Sequence, residues 1–395
     1  MKFKKVVYIR YFPLTKAIYT DLYFKELMEN NIQVEYLDVT TLFYPDRVRT
    51  EAFEFAGTVK IVSYKQLYHY LKEQYNDNVL YISIMTFEGR VFRLFRLFTK
   101  FNLNLGVFAR GVFPSNAEPG KRSKITRIIR AISFKRVTDF CANKITLLAK
   151  KLNVIKSYDY IFKAGEYGYF GLGIGNEIDY QKAKIIEVNT VDYDQFLIHR
   201  KLLPVNNEEY IVFLDQYLPF HPDASYFKIK TVEPEPYFKE VNGFFDRLEL
   251  ATGMKVIIAA HPKAERYKEF NPYNNRAIFF NQSNDLVKEA SLVLTHASTA
   301  VCFPICYNKN FVLLVSDYLN QVLPQFLVVA QSLANSCGAA IIAMDSAEKI
   351  HIPELINLNK YNDFKYKYLT SKKNEDQLSK DIFIHFLKTG CQSPN

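Results

Sequence analysis

Residues 255–263 read KVIIAAHPK, and residues 291–299 read SLVLTHAST. Each stretch is a run of apolar, largely β-branched residues that ends abruptly in His, Ser, Thr or Lys. Such a run predicts a buried strand, and strands that alternate with helices form parallel sheets. Open parallel sheets bind ligands at the carboxyl ends of their strands. The two stretches therefore predict a ligand site whose polar side chains follow two neighbouring strands.

The polar residues at these two strand ends are suited to a phosphate. They are His261, Pro262 and Lys263 after the first strand, and His296, Ser298 and Thr299 after the second. Ser298 and Thr299 can cap a helix predicted to begin near Ala300, which leaves backbone N–H groups free to bind an anion. We therefore predict a nucleotide-phosphate site here.

Length and composition bound the class of protein. A chain of 395 residues suits two domains, and 49% hydrophobic with 23% charged residues excludes a disordered chain. The start, MKFKKVVYIRYF, passes directly into a predicted strand, and no apolar run approaches the ~20 residues of a membrane span. Five scattered cysteines predict reduced thiols. We expect a cytoplasmic protein without a signal peptide.

Strands and helices alternate up to residue 188 and again from residue 210, on either side of the polar segment HRKLLPVNNEE (199–209). This pattern predicts an α/β fold with two doubly wound Rossmann-like domains that face each other across a cleft. We predict an N-terminal α/β domain (1–203), a C-terminal α/β domain (204–375), and a C-terminal helix and tail (376–395).

A basic region runs from Lys121 to Lys151, with ten cations against one acid and apolar residues at near-helical spacing. One interpretation is an amphipathic helix that holds the protein on the anionic inner face of the membrane, through Arg127, Arg130, Lys135 and Arg136. The other is a packed helix with a solvated basic face, and the sequence favours neither interpretation over the other. No nucleic-acid-binding motif accompanies the charge, so we predict no nucleic-acid partner.

Two further patterns bear on metals and cofactors. Asp192-Tyr193-Asp194 matches the letters of a D-x-D metal motif, but we predict a turn there and hence metal independence. The glycines of GLGIGNE (171–177) alternate, and no helix is predicted after them, which argues against a dinucleotide site. We predict no cofactor.

Two facing α/β domains with polar strand ends in the second resemble the GT-B glycosyltransferase architecture. This resemblance implies that the N-terminal domain binds the acceptor and that the C-terminal domain binds the nucleotide sugar. His261-Pro262 followed by Ser298-Thr299 resembles the HP and S-S/T motifs of bacterial sialyltransferases. Similar HP motifs occur in Kdo transferases and in teichoic-acid glycerophosphotransferases, and the resemblance covers residues 210–320 best. It implies that His261 contacts the phosphate or glycosidic oxygen of a CMP-linked donor, that Pro262 shapes the turn, and that Ser298 and Thr299 bind the phosphate. Lys263 is a further candidate for that phosphate.

The acidic-pair-Gly motif of the sialyltransferases is matched only in part. Thr86-Phe87-Glu88-Gly89-Arg90 keeps one acid and the glycine, so Glu88 is our first candidate for the general base. Asp215, at the end of the first strand of the second domain, is the second candidate, and Glu166 is the third. Arg110 ends another predicted strand and, with Glu166, is a candidate for binding the acceptor or an anion.

These observations favour a metal-independent glycosyltransferase of bacterial surface-polysaccharide synthesis (capsule, lipooligosaccharide or O-antigen). It would transfer a CMP-activated acidic sugar, such as sialic acid or Kdo, to a glycan or lipid-linked glycan with inversion. Within the enzymes, a UDP- or GDP-sugar transferase, a CDP-polyol phosphotransferase and a sugar-nucleotide epimerase stay open. A non-catalytic protein that binds a membrane or a polyanion is the alternative from another class.

Overall fold

A computed structural model describes residues 1–45, 52–74, 76–111, 114, 134–201, 209–222, 224, 230–348, 350, 352 and 356–392. These residues form two compact units. Unit 1 contains the described residues up to 111, residues 134–191 and those from 370 onward, and unit 2 is built mainly from residues 192–369. The C-terminal helix thus belongs to unit 1. The predicted boundary at 203/204 lies outside the described residues.

The sheet of unit 1 has seven parallel strands in the order β3-β2-β1-β4-β5-β6-β7 within the described ranges. They are β1 (Lys5–Arg10), β2 (Gln33–Asp38), β3 (Thr58–Lys60), β4 (Val79–Ser83), β5 (Asn104–Ala109), β6 (Tyr160–Ala164) and β7 (Lys184–Val188). Alternate residues of β1 join two separate apolar clusters: Val7 and Ile9 one, Val6 and Tyr8 the other. Both faces of this sheet are therefore covered at its centre, as the run of buried apolar residues in β1 predicts.

The helices of unit 1 are α1 (Lys16–Asp21), α2 (Phe24–Glu29), α3 (Thr40–Phe43), α4 (Tyr64–Glu73), α5 (Phe92–Lys100), α6 (Phe134–Lys151), α7 (Asn176–Lys182) and α15 (Ser379–Thr389). The sequence pattern predicts one helix over Thr15–Asn31, but Tyr23 adopts φ 65 and separates α1 from α2. The prediction of no helix after GLGIGNE is wrong, because α7 begins directly after Gly175.

The sheet of unit 2 has six parallel strands in the order β10-β9-β8-β11-β12-β13 over the part of the chain that the structure describes. They are β8 (Tyr210–Leu214), β9 (Lys255–Ala260), β10 (Ile278–Phe280), β11 (Leu292–Thr295), β12 (Phe311–Val315) and β13 (Ala340–Ala343). The order reverses between β8 and β11. In an open parallel sheet, this reversal leaves a crevice at the carboxyl ends of the two strands.

The helices of unit 2 are α8 (Val191–His199, whose first residue falls in unit 1), α9 (Pro234–Thr252), α10 (Ser283–Glu289), α11 (Cys302–Cys306), α12 (Asp317–Val322), α13 (Gln325–Cys337) and α14 (Leu358–Phe364). The predicted turn around Asp192-Tyr193-Asp194 is wrong, because α8 begins there. Two carboxylates in its first turn are favoured by the helix dipole, which is one reason for a helix at this point.

The predicted class, α/β with two doubly wound Rossmann-like domains as in GT-B proteins, is confirmed by these two sheets. Their strands are parallel throughout, and each sheet is wound outward from a central pair. The carboxyl ends of β8, β9 and β11 meet at one edge of the unit 2 sheet. That edge carries the residues singled out at the start.

Candidate functional site

A cavity of about 440 Å³ lies at the carboxyl edge of the unit 2 sheet, beside the reversal between β8 and β11. Its polar lining comes from the segments that follow three strands and from two helix starts: Asp192, Asp215, Gln216, His221, His261, Ser283, Ser298 and Thr299. Both predicted strand ends, His261-Pro262 and Ser298-Thr299, therefore line the same cavity. Parallel strands bring them together because their carboxyl ends share one edge.

His261 follows β9 and is half-buried at the cavity. Its Nδ1 accepts a hydrogen bond from the backbone N–H of Lys263 at 3.1 Å, across the turn that Pro262 shapes. A neutral imidazole that accepts at Nδ1 carries its hydrogen on Nε2. The turn therefore favours the tautomer that carries its hydrogen on Nε2. In this tautomer, Nε2–H can donate a hydrogen bond to an anionic oxygen.

Ser298 and Thr299 follow β11 at the opposite side of the strand reversal. The Ser298 hydroxyl accepts a hydrogen bond from the backbone N–H of Ala300 at 3.2 Å and so caps the turn that follows. The helix predicted from Ala300 is a 3₁₀ turn over Thr299–Val301 that leads into the short helix α11. The short turn provides no long helix N-terminus for an anion, so the predicted phosphate contacts are the two hydroxyls and His261.

Asp215 follows β8 and is 5% exposed, although it lines the cavity. The Tyr273 hydroxyl and the backbone N–H of Tyr217 donate to Oδ1 at 2.9 and 3.0 Å. Burial raises the pKa of Asp215 from 3.8 to about 6, and these hydrogen bonds oppose the rise only in part. A carboxyl group with this pKa can bind and release a proton near neutral pH, as an acid or base must.

Gln216, Asp192, His221 and Ser283 line the cavity but are absent from the sequence-based set. The Gln216 amide donates to the Ala297 carbonyl at 3.0 Å, while its Oε1 is buried without a hydrogen-bond partner among the described residues. A ligand hydroxyl or N–H group can satisfy that oxygen. The sequence signal for Gln216 is its place directly after Asp215, at the end of β8.

His221 and His261 lie together, with ring centroids 5.0 Å apart. His221 begins a second His-Pro pair, but no apolar strand immediately precedes it, so the sequence favours a structural role. A 3₁₀ turn over Leu218–Phe220 carries the chain from β8 to His221 and brings the ring to the cavity. Only the tertiary structure pairs the two histidines.

Two of the predicted donor-binding residues do not line the cavity. His296 is fully buried: Nδ1 contacts the Leu314 carbonyl at 2.8 Å, and Nε2 contacts the Tyr237 hydroxyl at 3.1 Å. Burial lowers the pKa of His296 to about 4, so its ring is neutral near pH 7. Lys263 is exposed and contributes its backbone N–H to the His261 turn. Neither side chain contacts the cavity in this arrangement.

We expect His296→Asn to lower the unfolding free energy by roughly 2 kcal/mol at neutral pH, because two buried hydrogen bonds are disturbed. The folded-state pKa of about 4 lies below the usual 6.5, so the stability that neutral His296 contributes is lost as pH falls from about 6.5 towards 4. The difference between wild type and variant should therefore narrow on acidification. Urea titrations of both proteins over this pH range measure the difference. A tenfold loss of nucleotide affinity in the folded variant would instead show that His296 contributes to ligand binding.

Glu88, the first base candidate, belongs to unit 1, where it follows β4 and precedes the turn into α5. Arg90 Nε forms an ion pair with its Oε1 at 2.6 Å, and Arg90 Nη1 donates to the Tyr44 hydroxyl at 2.5 Å. The Gly89 N–H donates to Asn143 Oδ1 at 2.6 Å. The loop is thus held in place, and one oxygen of the Glu88 carboxylate is paired with Arg90.

The GLGIGNE segment supports this loop from the other side. Phe87 and Gly173 form a parallel bridge, and Gly173 has φ +101. A Cβ at Gly173 would lie 2.3 Å from the Phe87 carbonyl oxygen, so only glycine fits. The segment is therefore an ordered support of the Glu88 loop.

Arg110 and Glu166 also lie in unit 1, after β5 and β6. The Arg110 guanidinium donates to the Tyr23 hydroxyl at 2.8 Å and to the Asp21 carbonyl at 3.1 Å. Glu166 is exposed in the turn after β6, and its carbonyl accepts from Lys163 at 3.4 Å. Arg110 is thus held by protein groups, whereas the Glu166 carboxylate faces solvent; binding of an acceptor or anion by either residue stays a prediction.

The four residues of the membrane hypothesis cannot be placed by their side chains. Arg127 and Arg130 lie outside the described residues, and Lys135 and Arg136 belong to α6 without a described side chain. In the described ranges, no helix is long and apolar enough to cross a membrane. Among the same residues, no group of three or more His, Cys, Asp or Glu side chains is arranged to hold a metal ion. Metal independence stays a prediction.

The sequence matches no protein-family model and, at a significant level, no curated protein. Its backbone resembles solved structures over nearly its whole length. UDP-GlcNAc 2-epimerase from Methanocaldococcus jannaschii matches with a TM-score of 0.45 and 13% identity, covering 97% of this chain and 99% of that chain. The wall teichoic acid polymerase TagF matches with 0.48 and 14%, covering 98% and 90%.

The glycosyltransferase of kitacinnamycin matches with a TM-score of 0.44 and 10% identity, covering 98% of this chain and 94% of that chain. These proteins share the GT-B fold. At such low identities and scores, the likeness concerns the course of the backbone and carries no information on activity. The narrower resemblance to sialyltransferases and Kdo transferases stays a prediction.

Proposed function

We propose that this protein is a metal-independent, inverting glycosyltransferase of bacterial surface-polysaccharide synthesis that uses a CMP-activated acidic sugar. The observation that carries the proposal is the cavity at the β8–β11 reversal, where His261, Ser298, Thr299 and Asp215 converge. A volume of about 440 Å³ lies in the range of small-molecule sites. Its polar groups match the needs of a nucleotide phosphate.

The chemistry follows from where charge develops. Transfer breaks the bond between the anomeric carbon and a phosphate oxygen, and negative charge accumulates on the departing phosphate. Hydrogen bonds within the protein orient the His261 ring and the Ser298 hydroxyl, and the Thr299 hydroxyl lies beside them at the cavity. These three groups are the proposed donors to that charge. Gln216 Oε1, which is buried and has no hydrogen-bond partner among the described residues, is a candidate acceptor for a hydroxyl of the donor or an N–H of its base.

Inverting transfer also needs a base that takes the proton of the acceptor hydroxyl as its oxygen bonds to the anomeric carbon. Glu88 remains the first candidate, because it matches part of the acidic-pair-Gly motif and sits on a fixed loop. Asp215 is the second, supported by its place in the cavity and a pKa of about 6. Glu166 is the third. The acceptor is proposed to be a glycan or lipid-linked glycan bound through unit 1.

A nucleotide screen by thermal unfolding tests the donor class. We expect CMP to stabilise the protein and UDP and GDP to have little effect, since a ligand at 100 times its Kd adds about 2.7 kcal/mol. The double variant Ser298→Ala/Thr299→Val should lose the CMP shift, whereas Thr20→Val, which removes an exposed hydroxyl of unit 1, should keep it. A shift with UDP or GDP but none with CMP would overturn the donor assignment.

Product analysis separates the reaction classes. A sugar transferase releases the nucleotide and leaves the sugar on the acceptor, a polyol phosphotransferase leaves a polyol phosphate there, and an epimerase needs no acceptor. We expect acceptor-dependent release of CMP. Nucleotide binding without turnover of any nucleotide sugar would contradict the enzyme proposal.

A further inference from the structure

A second cavity, of about 570 Å³, lies in unit 1 between α4 and α5, away from the residues assigned above. Its cations are Lys65, Arg93, Arg96 and Lys100, and no acidic side chain is among its described lining residues. All four are exposed. Arg93, Arg96 and Lys100 are spaced at i, i+3 and i+7, so helical geometry places them on one face of α5.

Aromatic rings hold two of these cations over the cavity. The Arg93 guanidinium lies 4.1 Å from the ring centroid of Tyr64, and the Lys100 ammonium lies 4.7 Å from that of Tyr68. Cations held in this way keep their N–H donors available to an anion. The site is thus both positively charged and partly ordered, which suits a phosphate group.

An exposed apolar face adjoins this cavity. Ile145 and Leu148 of α6 are 62% and 55% exposed, and Leu152, the residue directly after α6, is 64% exposed. Together with the exposed Cys141, they continue the spacing of one helix face. Lys144 and Lys151 are exposed along one flank of that face. Val154, three residues beyond α6, is 40% exposed and lines the cavity, so it joins the two surfaces.

The rest of α6 is fixed to unit 1, which keeps this face outward. Lys150, counted in the basic region of the sequence, is fully buried and pairs with Asp179. Its ammonium lies 3.8 Å from the ring centroid of Phe87. The exposed apolar residues therefore lie on, or directly after, a helix that is packed against unit 1. The described parts of unit 1 leave these side chains exposed to solvent.

We propose that the α5 cation cluster and the exposed face of α6 form one docking surface for a bilayer rich in anionic phospholipid. The phosphate groups of the lipid occupy the α4–α5 cavity, and Ile145, Leu148 and Leu152 enter the interfacial region. Large exposed apolar side chains beside clustered cations are the pattern of an interfacial membrane contact. This proposal is independent of the transferase proposal, because it uses none of the residues of the unit 2 cavity.

Vesicle co-sedimentation of the full chain tests it. We expect binding to phosphatidylcholine vesicles that contain phosphatidylglycerol, weakening with salt, and none to phosphatidylcholine alone. Arg93→Gln/Arg96→Gln/Lys100→Gln should weaken binding roughly fivefold per neutralised cation. The matched variant Lys239→Gln/Lys255→Gln/Lys373→Gln removes three exposed cations from other surfaces and should bind like wild type within about twofold.

The apolar component needs its own variant. Leu148→Ser/Leu152→Ser should lower binding at least about tenfold while leaving the thermal unfolding midpoint unchanged, because both side chains are exposed. Equal losses in the cavity variant and its control, or no binding of wild type, would overturn the proposal. The proposal would also be wrong if the wild type formed a dimer, did not bind vesicles, and became a monomer in the leucine variant. It would equally be wrong if glycerophosphate raised the thermal unfolding midpoint while the protein did not bind vesicles.

Discussion

His261→Ala is expected to lower kcat of sugar transfer roughly 100- to 1,000-fold, the loss typical for removing one preorganised donor to a developing negative charge. The Nε2–H of His261 is held in the donor tautomer by the Lys263 backbone N–H, so the substitution removes an oriented group. KM should change far less than kcat, because the charge on the phosphate grows only as the donor bond breaks. Steady-state kinetics with a CMP-sugar check this split.

Two control variants test whether the loss of activity is specific to His261. Lys263→Ala keeps the backbone N–H but removes an exposed cation next to the site, and we expect less than a threefold change in kcat. His69→Ala removes an exposed histidine of unit 1 and should leave kinetics unchanged. Wild-type kcat in His261→Ala would refute the role of the HP pair, whereas a loss confined to Lys263→Ala would move the phosphate contact to that lysine.

Asp215→Asn is expected to raise the unfolding free energy by roughly 3 kcal/mol near neutral pH. Burial raises the pKa of this carboxyl from 3.8 to about 6, and each pKa unit corresponds to about 1.4 kcal/mol. An amide avoids the cost of a buried charge and keeps an oxygen to accept from the Tyr273 hydroxyl and the Tyr217 N–H. Urea titrations of the two proteins measure the difference.

The gain in unfolding free energy of Asp215→Asn is expected to increase with pH. Because the folded-state pKa of Asp215 is raised, the native protein binds more protons than the unfolded chain between about pH 4 and 6. The contribution of this group to stability is present below about pH 4 and is lost as pH rises through about 6. The advantage of Asp215→Asn should therefore vanish in acid and reach its full size above about pH 7.

A second variant at an exposed carboxylate, and an activity assay, distinguish the effect of Asp215 from that of removing any negative charge. Asp246→Asn removes a 62% exposed carboxylate that pairs with Arg276, and its effect should stay within about 1 kcal/mol. A loss of turnover in Asp215→Asn together with higher stability is the pattern of a residue kept for function. Unchanged stability at all pH values would mean that Asp215 is better solvated than its burial indicates.

The two strand ends could be predicted from sequence because both signals are local. An apolar β-branched run that stops at a polar residue marks the end of a buried strand, and parallel pairing brings such ends to one edge. His261, Pro262, Ser298 and Thr299 accordingly line one cavity. Asp215 was found in the same way, from the end of β8.

The positions of other side chains could not be predicted from the sequence, because they depend on the direction of the side chain or on residues distant in the chain. His296 directly follows β11, as His261 directly follows β9, but the His296 side chain turns into the core towards Tyr237 and Leu314. His221 reaches the cavity through a 3₁₀ turn that has no periodic signature. Asp192, expected in a turn, begins helix α8 and lines the cavity.

The sequence alone determined the α/β class, the two doubly wound domains and the polar strand ends, because apolar periodicity and strand ends are properties of short stretches of chain. Only the tertiary structure decided which side chains share the cavity and which are buried beside it. It likewise raised the pKa of Asp215, lowered that of His296 and exposed the apolar face of α6. Burial and proximity arise from residues far apart in the chain, and no local pattern records them.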